Sequence, residues 1–200
     1  MEAAANVSTE EELIAWCKNA ESNGISQHSL EWLAAKKFTI GGSSIATIMG
    51  LNSFQTMREL LLTRLGVRQF NSDIKPQWGN MLEEVIKREV EYMFKCTVHG
   101  EDLYLPGHIY GTSYSPDGLG IVDGKLVLFE FKCPYSRIPS RDPPKYYVPQ
   151  VKMGLELIPH AEYGIYAEAV YRRCTWEQLG PSGDFDTTLV EKPSKPITPI

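Results

Sequence analysis

Apolar residues recur at a helical spacing in several parts of this chain, and that spacing predicts where the helices lie. A period of three to four residues predicts six helices, at 9–21, 29–37, 45–49, 56–65, 76–95 and 145–157. The longest has a single apolar stripe, made of Trp78, Met81, Leu82, Val85, Ile86, Val90, Met93 and Phe94. Thr9 or Ser8 and Ser43 are typical N-cap residues for the first and third helices, while Gly50 and Gly66 follow the third and fourth.

An uninterrupted apolar run predicts a buried strand instead, at 125–132, where the sequence from Leu126 onward is LVLFEF. Shorter strands are predicted around Leu103, Ile109 and Tyr114, and a last strand at 163–171. A proline-rich loop fills 134–144. The order of the elements predicts a mixed α/β domain, because helices come first, mostly antiparallel strands follow, and a helix and a strand come last. Its central mixed sheet is expected to be flanked by helices.

Two charged residues stand at the end of the apolar strand. Residues two apart on a strand point to the same face, so Glu130 and Lys132 are predicted to lie together. Burying a carboxylate and an ammonium group costs free energy unless a partner or a metal compensates them. Asp117, in the turn at 115–118, is placed to add a second carboxylate. Two carboxylates and a lysine predict a site for a hard divalent cation and a positioned water, which suits phosphodiester hydrolysis.

The net charge of −5 at first disfavours a nucleic-acid partner, but the charge is unevenly distributed. Residues 1–35 hold six acidic residues and one basic residue, and so account for the whole net charge. Residues 36–75 hold six basic residues against two acidic ones, and 133–152 hold four against one. Two basic zones on either side of the acidic motif suit an anionic substrate. A mixed solvated surface is the alternative interpretation.

The remaining composition narrows the class of protein. The 200 residues suffice for one sizeable core, and no apolar run is long enough to span a bilayer. The acidic N-terminus lacks the layout of a signal peptide, so we expect an intracellular protein without a membrane partner. The cysteines form no CxxC pair, which predicts free thiols in a reducing compartment; they are Cys17, Cys96, Cys133 and Cys174. The histidines have no ligand spacing and are expected to be structural or on the surface.

Several motifs resemble, in the same order, those of the lambda-exonuclease/YqaJ-type viral recombination nucleases of the PD-(D/E)XK superfamily. They are WGNMLE at 78–83, SPDGL at 115–119, EFKCP at 130–134 and YYVPQVKMGL at 146–155, with a further stretch from Trp32 to Ser43. The resemblance covers roughly residues 30–171. It implies the restriction-endonuclease-like fold.

The resemblance also implies roles at the catalytic centre. Asp117, Glu130 and Glu83 would be metal ligands together with the carbonyl oxygen of Phe131, and all three carboxylates count as catalytic. Lys132 would orient the attacking water. Gln150 would form a hydrogen bond to the nucleophile or to a ligand.

Two further positions correspond to residues that hold the 5′ phosphate of a DNA end in the family. Lys36 stands where the family has an arginine, and Ser43 stands where it has a serine. A lysine binds phosphate as a point charge and lacks the bidentate fork of arginine. For Ser43, capping a helix and binding phosphate are compatible expectations, since a helix N-terminus attracts anions. Several tyrosines near the site are expected in the core or at the rim, or stacked on bases; they are Tyr110, Tyr114, Tyr135, Tyr146 and Tyr147.

The expected activity is that of a Mg²⁺-dependent deoxyribonuclease with two ions, Mn²⁺ being able to substitute. The resemblance implies a 5′→3′ exonuclease on double-stranded DNA ends that leaves 3′ overhangs, a single-strand-annealing protein as partner, and a homotrimer. If the protein is viral, it would act in the cytoplasm or nucleus of an infected cell. An endonuclease on DNA or RNA, of the viral alkaline-nuclease type, and a non-catalytic module binding DNA or a host protein are the alternatives. The predicted organisation is an N-terminal helical segment at 1–28, a nuclease domain at 29–176 and a flexible tail at 177–200.

Overall fold

The computed structural model describes residues 9–22, 24–25, 29–68, 74–100, 103–135 and 137–171, with residues 74–76 described by their backbone only. This part of the chain holds six helices and six strands. The helices are α1 (Glu10–Ser22), α2 (Leu30–Lys37), α3 (Gly42–Ile48), α4 (Met57–Arg64), α5 (Ile74–Phe94) and α6 (Val148–Leu157). The strands are β1 (Ile40–Gly41), β2 (Leu105–Pro106), β3 (Thr112–Tyr114), β4 (Gly118–Val122), β5 (Lys125–Lys132) and β6 (Ala161–Glu168). The predicted mixed α/β fold is confirmed.

The described strands form two three-stranded sheets, and both are mixed. In the larger sheet β5 lies between β4, which is antiparallel to it, and β6, which is parallel. In the smaller sheet β3 lies between β1, which is parallel, and β2, which is antiparallel. The pairs β2–β3 and β4–β5 are antiparallel, as predicted for the strands before the last helix, but the described strands form two mixed sheets rather than one central sheet. Helix α6 makes the crossover between β5 and β6, and such a connection is what places two successive strands in parallel.

Strand β5 is buried on both faces because each face meets a different part of the core. Leu126 and Leu128 belong to one hydrophobic cluster, which also contains Tyr114 and the α1 residue Leu13. The alternate residues Val127, Phe129 and Phe131 belong to a second cluster, with Ile86 and Val90 of α5. Burial on both faces explains the unbroken apolar sequence of this strand. The alternation of side chains along β5 places Glu130 and Lys132 on the same face, as predicted.

Threonine hydroxyl groups cap two of the described helices, and the cap at Thr9 was predicted. At the start of α1, the Thr9 hydroxyl accepts from the backbone N–H of Glu12, whose carboxylate accepts from the N–H of Thr9. Thr56 and Glu59 form the same reciprocal arrangement at the start of α4. The prediction that Ser43 is an N-cap was wrong. Gly41 is the N-cap of α3, and Ser43 is the second residue of that helix.

Strand β4 was not predicted, because glycines are rare in strands. Here they are required by space, since a Cβ atom on Gly118 would lie 2.5 Å from Cγ1 of Val98. A Cβ atom on Gly120 would lie 2.9 Å from Cε2 of Phe129. The strand joins β5 through Asp123 and Gly124, whose φ angles of 51° and 74° suit a two-residue hairpin turn.

Other predicted boundaries also differ from the structure. The strand predicted around Leu103 is β2, which begins two residues later, whereas Ile109 lies in a turn, so the strand predicted there was wrong. The last strand is β6, which begins two residues before the predicted start and ends three before the predicted end. Helix α6 begins at Val148 rather than at residue 145, with Pro149 in its first turn, where a missing N–H costs nothing.

The predicted apolar stripe of α5 is only partly buried. Ile86 and Val90 are 3% and 2% exposed, whereas Met81 and Met93 are 65% and 59% exposed. Val85 is also exposed, at 39%. Only one side of the helix packs against β5 and β6, so the stripe predicted from spacing alone is wider than the face that the fold covers.

Helix α1 is part of the core, because Leu13 and Cys17 pack into the first cluster. The predicted tail at 177–200, Cys174 and His28 lie outside the described residues, and the predicted domain boundaries stay predictions. Cys17, Cys96 and Cys133 are free thiols, as expected. Within the described ranges, no helix combines the length and the apolar character that crossing a bilayer requires.

Candidate active site

Three oxygen atoms meet at the ammonium group of Lys132, at the end of β5. Lys132 Nζ lies 2.8 Å from Asp117 Oδ2 and 2.7 Å from the carbonyl oxygen of Phe131, and it also contacts Glu130 Oε1. The backbone N–H of Phe131 donates to Asp117 Oδ2 over 2.9 Å. Because Asp117 immediately precedes β4, its side chain continues the hydrogen bonding between β4 and β5. The strand pairing therefore fixes the position of this carboxylate.

Glu130 is completely buried, and its neighbours shift its pKa in opposite directions. Burial, and secondly the neighbouring Asp117 carboxylate, raise the pKa of Glu130, while Lys132 and Tyr114 oppose this shift. Burial also disfavours the ammonium form of Lys132, but attraction to Asp117 and Glu130 outweighs it and holds the pKa of Lys132 well above its usual value. Lys132 is thus a cation stabilised by two carboxylates in a poorly solvated place.

An open cavity of about 660 Å³ begins at this cluster and contains most of the predicted site residues. Asp117 and Lys132 line it together with Glu83 from α5, Gln150 from α6, and Lys36 and Ser43 from the α2–α3 region. Glu130 lies beneath Lys132, and Phe131 contributes its carbonyl oxygen. The structure thus brings all eight predicted residues to one place, although they come from five different elements and one turn.

Glu83 reaches the cavity because α5 packs against the end of β5. The Cys133 thiol, next to Lys132, donates to the carbonyl oxygen of Leu82 over 3.5 Å. Burial and, secondly, repulsion by Asp117 raise the pKa of Glu83 to about 7, while Lys132 lowers it. A carboxyl group with this pKa is poised to gain or lose a proton near neutral pH.

Lys36 lies at the α2 side of the cavity and is held there by its neighbours. Its Nζ lies 4.0 Å from the centre of the Trp32 ring, and Trp32 Nε1 donates to Ser115 Oγ over 3.1 Å. The second bond connects α2 to the turn that carries Asp117. Burial, then repulsion by Arg64, lower the pKa of Lys36 to about 8, although Asp117 opposes the shift. Lys36 is therefore a weakly solvated cation facing an open cavity, which suits an anionic group.

Sequence reasoning missed several residues of the cavity. Arg64 contacts the carbonyl oxygen of Lys36 and donates to Ser44 Oγ over 3.0 Å, so it supports the α2–α3 region from behind. Arg68 lines the cavity, paired with Glu59. Both arginines belong to the basic zone at 36–75, which was the available signal. Asn52, Phe54 and Gln55 also line the cavity and belong to no motif; Asn80 lines it too and lies within WGNMLE, although no role was predicted for it.

The oxygen atoms around Lys132 Nζ fit a hard divalent cation. Two carboxylates and one carbonyl oxygen already converge on a single positive charge, and Mg²⁺ prefers oxygen ligands completed by water. Among the described residues, neither this site nor any other place has three side chains of histidine, cysteine, aspartate or glutamate grouped closely enough to bind a metal by themselves. The Phe131 carbonyl, Glu83 or water would therefore have to complete the ligand set.

The model of the YqaJ-like viral recombinase domain matches residues 31–157, more than half of the chain. This span includes every residue that converges on Lys132 and every predicted residue of the cavity. The chain belongs to the YqaJ-like viral recombinase domain family.

The YqaJ-like chain has viral relatives. It is 30% identical over 190 residues to "Protein D345L" of African swine fever virus (strain Badajoz), an alignment that covers 82% of the chain and 55% of that protein. In the Pretoriuskop isolate of this virus, the alignment extends over 201 residues at 30% identity and covers 87% and 58%. The chain therefore spans a little over half the length of the curated relatives that it matches.

Solved structures show the fold of the YqaJ-like chain independently. The alkaline exonuclease LHK-Exo from Laribacter hongkongensis superimposes with a TM-score of 0.58 at 23% identity, over 73% of this chain and 76% of that one. The structure of LHK-Exo in complex with dAMP gives a TM-score of 0.58 at 22% identity, over 86% and 82%. The restriction-endonuclease-like fold expected from the sequence motifs is confirmed.

Proposed function

We propose that this chain is a Mg²⁺-dependent deoxyribonuclease that hydrolyses phosphodiester bonds from the 5′ ends of double-stranded DNA. The observation that carries the proposal is the convergence of Asp117 Oδ2, Glu130 Oε1 and the Phe131 carbonyl on one cationic point at the floor of an open cavity. Membership of a viral recombinase family supports a role on DNA. The neighbour LHK-Exo is an exonuclease that has been crystallised with dAMP, a nucleoside monophosphate of the kind that an exonuclease releases.

Asp117, Glu130 and the Phe131 carbonyl would hold Mg²⁺, with Glu83 as the ligand of a second ion; Mn²⁺ would substitute. When bound, the metal lowers the pKa of a water molecule and neutralises charge on the phosphate. Lys132 reaches the cavity from the floor, so its ammonium group can orient the attacking water and offset the negative charge of the transition state. Gln150 faces the same cavity and can donate a hydrogen bond from its amide to the water or to a phosphate oxygen.

The far side of the cavity would hold the end of the DNA strand. Lys36 supplies a partly desolvated positive charge, and Ser43 supplies a hydroxyl group beside it on α3. A 5′ phosphate bound there would direct the strand toward Lys132. The same proposal includes an annealing protein as partner and a trimeric assembly, which rest on the family resemblance. It also includes a reducing intracellular compartment, which rests on the pattern of the cysteines and on the acidic N-terminus.

The test is digestion of a linear duplex with 5′-phosphorylated ends, with and without Mg²⁺, by wild type, Lys132→Ala and Asp117→Ala. We expect Mg²⁺-dependent release of mononucleotides by wild type and a loss of roughly 100-fold or more in kcat for each variant. Lys125→Ala is the matched control, because Lys125 lies on the same strand but pairs with Glu162 at the surface. Equal rates for wild type and Lys132→Ala, in folded protein, would remove the catalytic assignment.

A closed circular duplex distinguishes the alternative activity. An exonuclease leaves the circle intact and degrades the linear molecule, whereas degradation of both means an endonuclease. A matching RNA duplex, tested in parallel, separates DNA from RNA chemistry. If Asp117→Ala binds DNA like wild type and wild type cleaves none of these substrates, the chain is a binding module.

A further inference from the structure

Tyr114 is almost completely buried beside the site. It ends β3, its side chain is 1% exposed, and its ring lies between α3 and α6. A Cβ atom on Gly42 of α3 would lie 2.4 Å from Tyr114 Cε2, and one on Gly154 of α6 would lie 2.6 Å from Tyr114 Cζ. Both helices therefore carry a glycine where the tyrosine ring passes. A ring held this way from two sides has little freedom to turn.

The hydroxyl group of Tyr114 is directed at the buried carboxylate of the site. It donates to Glu130 Oε2 over 3.3 Å, while the other oxygen, Oε1, contacts Lys132. The two oxygens of Glu130 thus have different partners, one on the smaller sheet and one on β5. Since Glu130 has no solvent exposure, water cannot take over the bond to Oε2.

We propose that Tyr114 is a positioning residue. It would hold Glu130 so that Oε1 of Glu130 faces the position beside Asp117 where the metal ion would bind. This inference rests on the proposed function, because it assigns Glu130 as a ligand. Groups that hold a ligand by hydrogen bonding tune metal affinity strongly, and their loss typically reduces affinity or activity by about 10- to 100-fold. The packing of the ring between α3 and α6 fixes the hydroxyl group that donates to Glu130.

The variant that tests this is Tyr114→Phe, which keeps the ring between the two glycines and removes only the hydroxyl group. Tyr163→Phe is the matched control, because Tyr163 packs with the second hydrophobic cluster, on the other side of the larger sheet. Mn²⁺ binding is measured directly by the electron paramagnetic resonance signal of the free ion, in the absence of DNA. Thermal melting followed by circular dichroism checks that both variants are folded.

We expect Tyr114→Phe to bind Mn²⁺ about tenfold or more weakly than wild type, and Tyr163→Phe to match wild type. In the cleavage assay, Tyr114→Phe should lower kcat at limiting Mg²⁺ and leave the KM for DNA ends unchanged, since Lys36 and Ser43 are untouched. If folded Tyr114→Phe binds Mn²⁺ within twofold of wild type, or if Tyr163→Phe loses as much affinity, the inference is wrong. Those results would leave the nuclease proposal standing, whereas a wild type that neither binds Mn²⁺ nor cleaves DNA would overturn both.

Discussion

The ion pair between Arg137 and Glu168 attaches the loop at 134–144 to the sheet beside the proposed catalytic lysine. Arg137 Nη1 donates to Glu168 Oε2 over 2.9 Å, and Nη2 contacts Oε1. Glu168 lies opposite Lys132 in the β5–β6 pairing, and its side chain is only 5% exposed. Replacing Arg137 by methionine would keep much of the bulk of the side chain and leave a buried carboxylate without its cation.

The free energy of this loss can be bounded. Removing one partner of a buried ion pair costs roughly 3–5 kcal/mol. The Glu168 side chain is 5% exposed and that of Arg137 is 32% exposed, so we expect a loss at the lower end of that range, about 3 kcal/mol.

Urea denaturation of wild type and Arg137→Met measures this loss. Lys125→Met is the matched control, because it removes a cation from a pair on the same sheet whose side chains are both 51% exposed. The control should change stability far less. A double variant, Arg137→Met with Glu168→Gln, should recover most of the loss. Equal losses for Arg137→Met and Lys125→Met would refute the reasoning.

The remaining predictions concern the cavity and its glycines. Burial lowers the pKa of Lys36 to about 8. The preference for phosphorylated over hydroxyl 5′ ends, measured as a ratio of initial rates, should therefore decline as the pH rises through 8. The variant Lys36→Arg should keep this preference at high pH, because arginine stays charged. Ser43→Ala should weaken the same preference without lowering the melting temperature, because Ser43 caps no helix. Gly42→Ala should cost about 1–3 kcal/mol in urea denaturation because its Cβ overlaps Tyr114. Gly79→Ala, whose Cβ meets no atom closer than 3.8 Å, should instead stabilise α5 by up to about 1 kcal/mol.

The sequence was sufficient to predict the floor of the site because that prediction is local. The alternation of a strand fixes which side chains share a face, so Glu130 and Lys132 had to lie together once β5 was recognised. Asp117 is a less local case, because it meets them only through the antiparallel pairing of β4 with β5, in which Gly118 lies opposite Phe129. The residues on other elements, such as Glu83 and Lys36, were found by resemblance to family motifs. Their meeting in one cavity depends on helix packing, which no local pattern determines.

The features that were missed depend on contacts between distant parts of the chain. Strand β4 contains two glycines that a propensity argument rejects, and only the side chains of Val98 and Phe129 explain them. The partnership of Arg137 with Glu168 joins residues 31 positions apart, with a helix between them. The exposed side of α5 shows the opposite error, because periodicity indicates which residues are apolar but not how much of the helix the sheet covers.

The charges of the site constrain how it can change on binding a metal. Lys132 Nζ stands where Asp117, Glu130 and the Phe131 carbonyl meet, so in the structure an ammonium group compensates the carboxylates. An ammonium group and a divalent ion cannot share that point, because like charges in a poorly solvated site repel strongly. On the proposed function, Lys132 would have to leave it toward the cavity, the side on which its 19% exposure lies. That movement would carry the lysine toward the phosphate and water, where its ammonium group would serve catalysis.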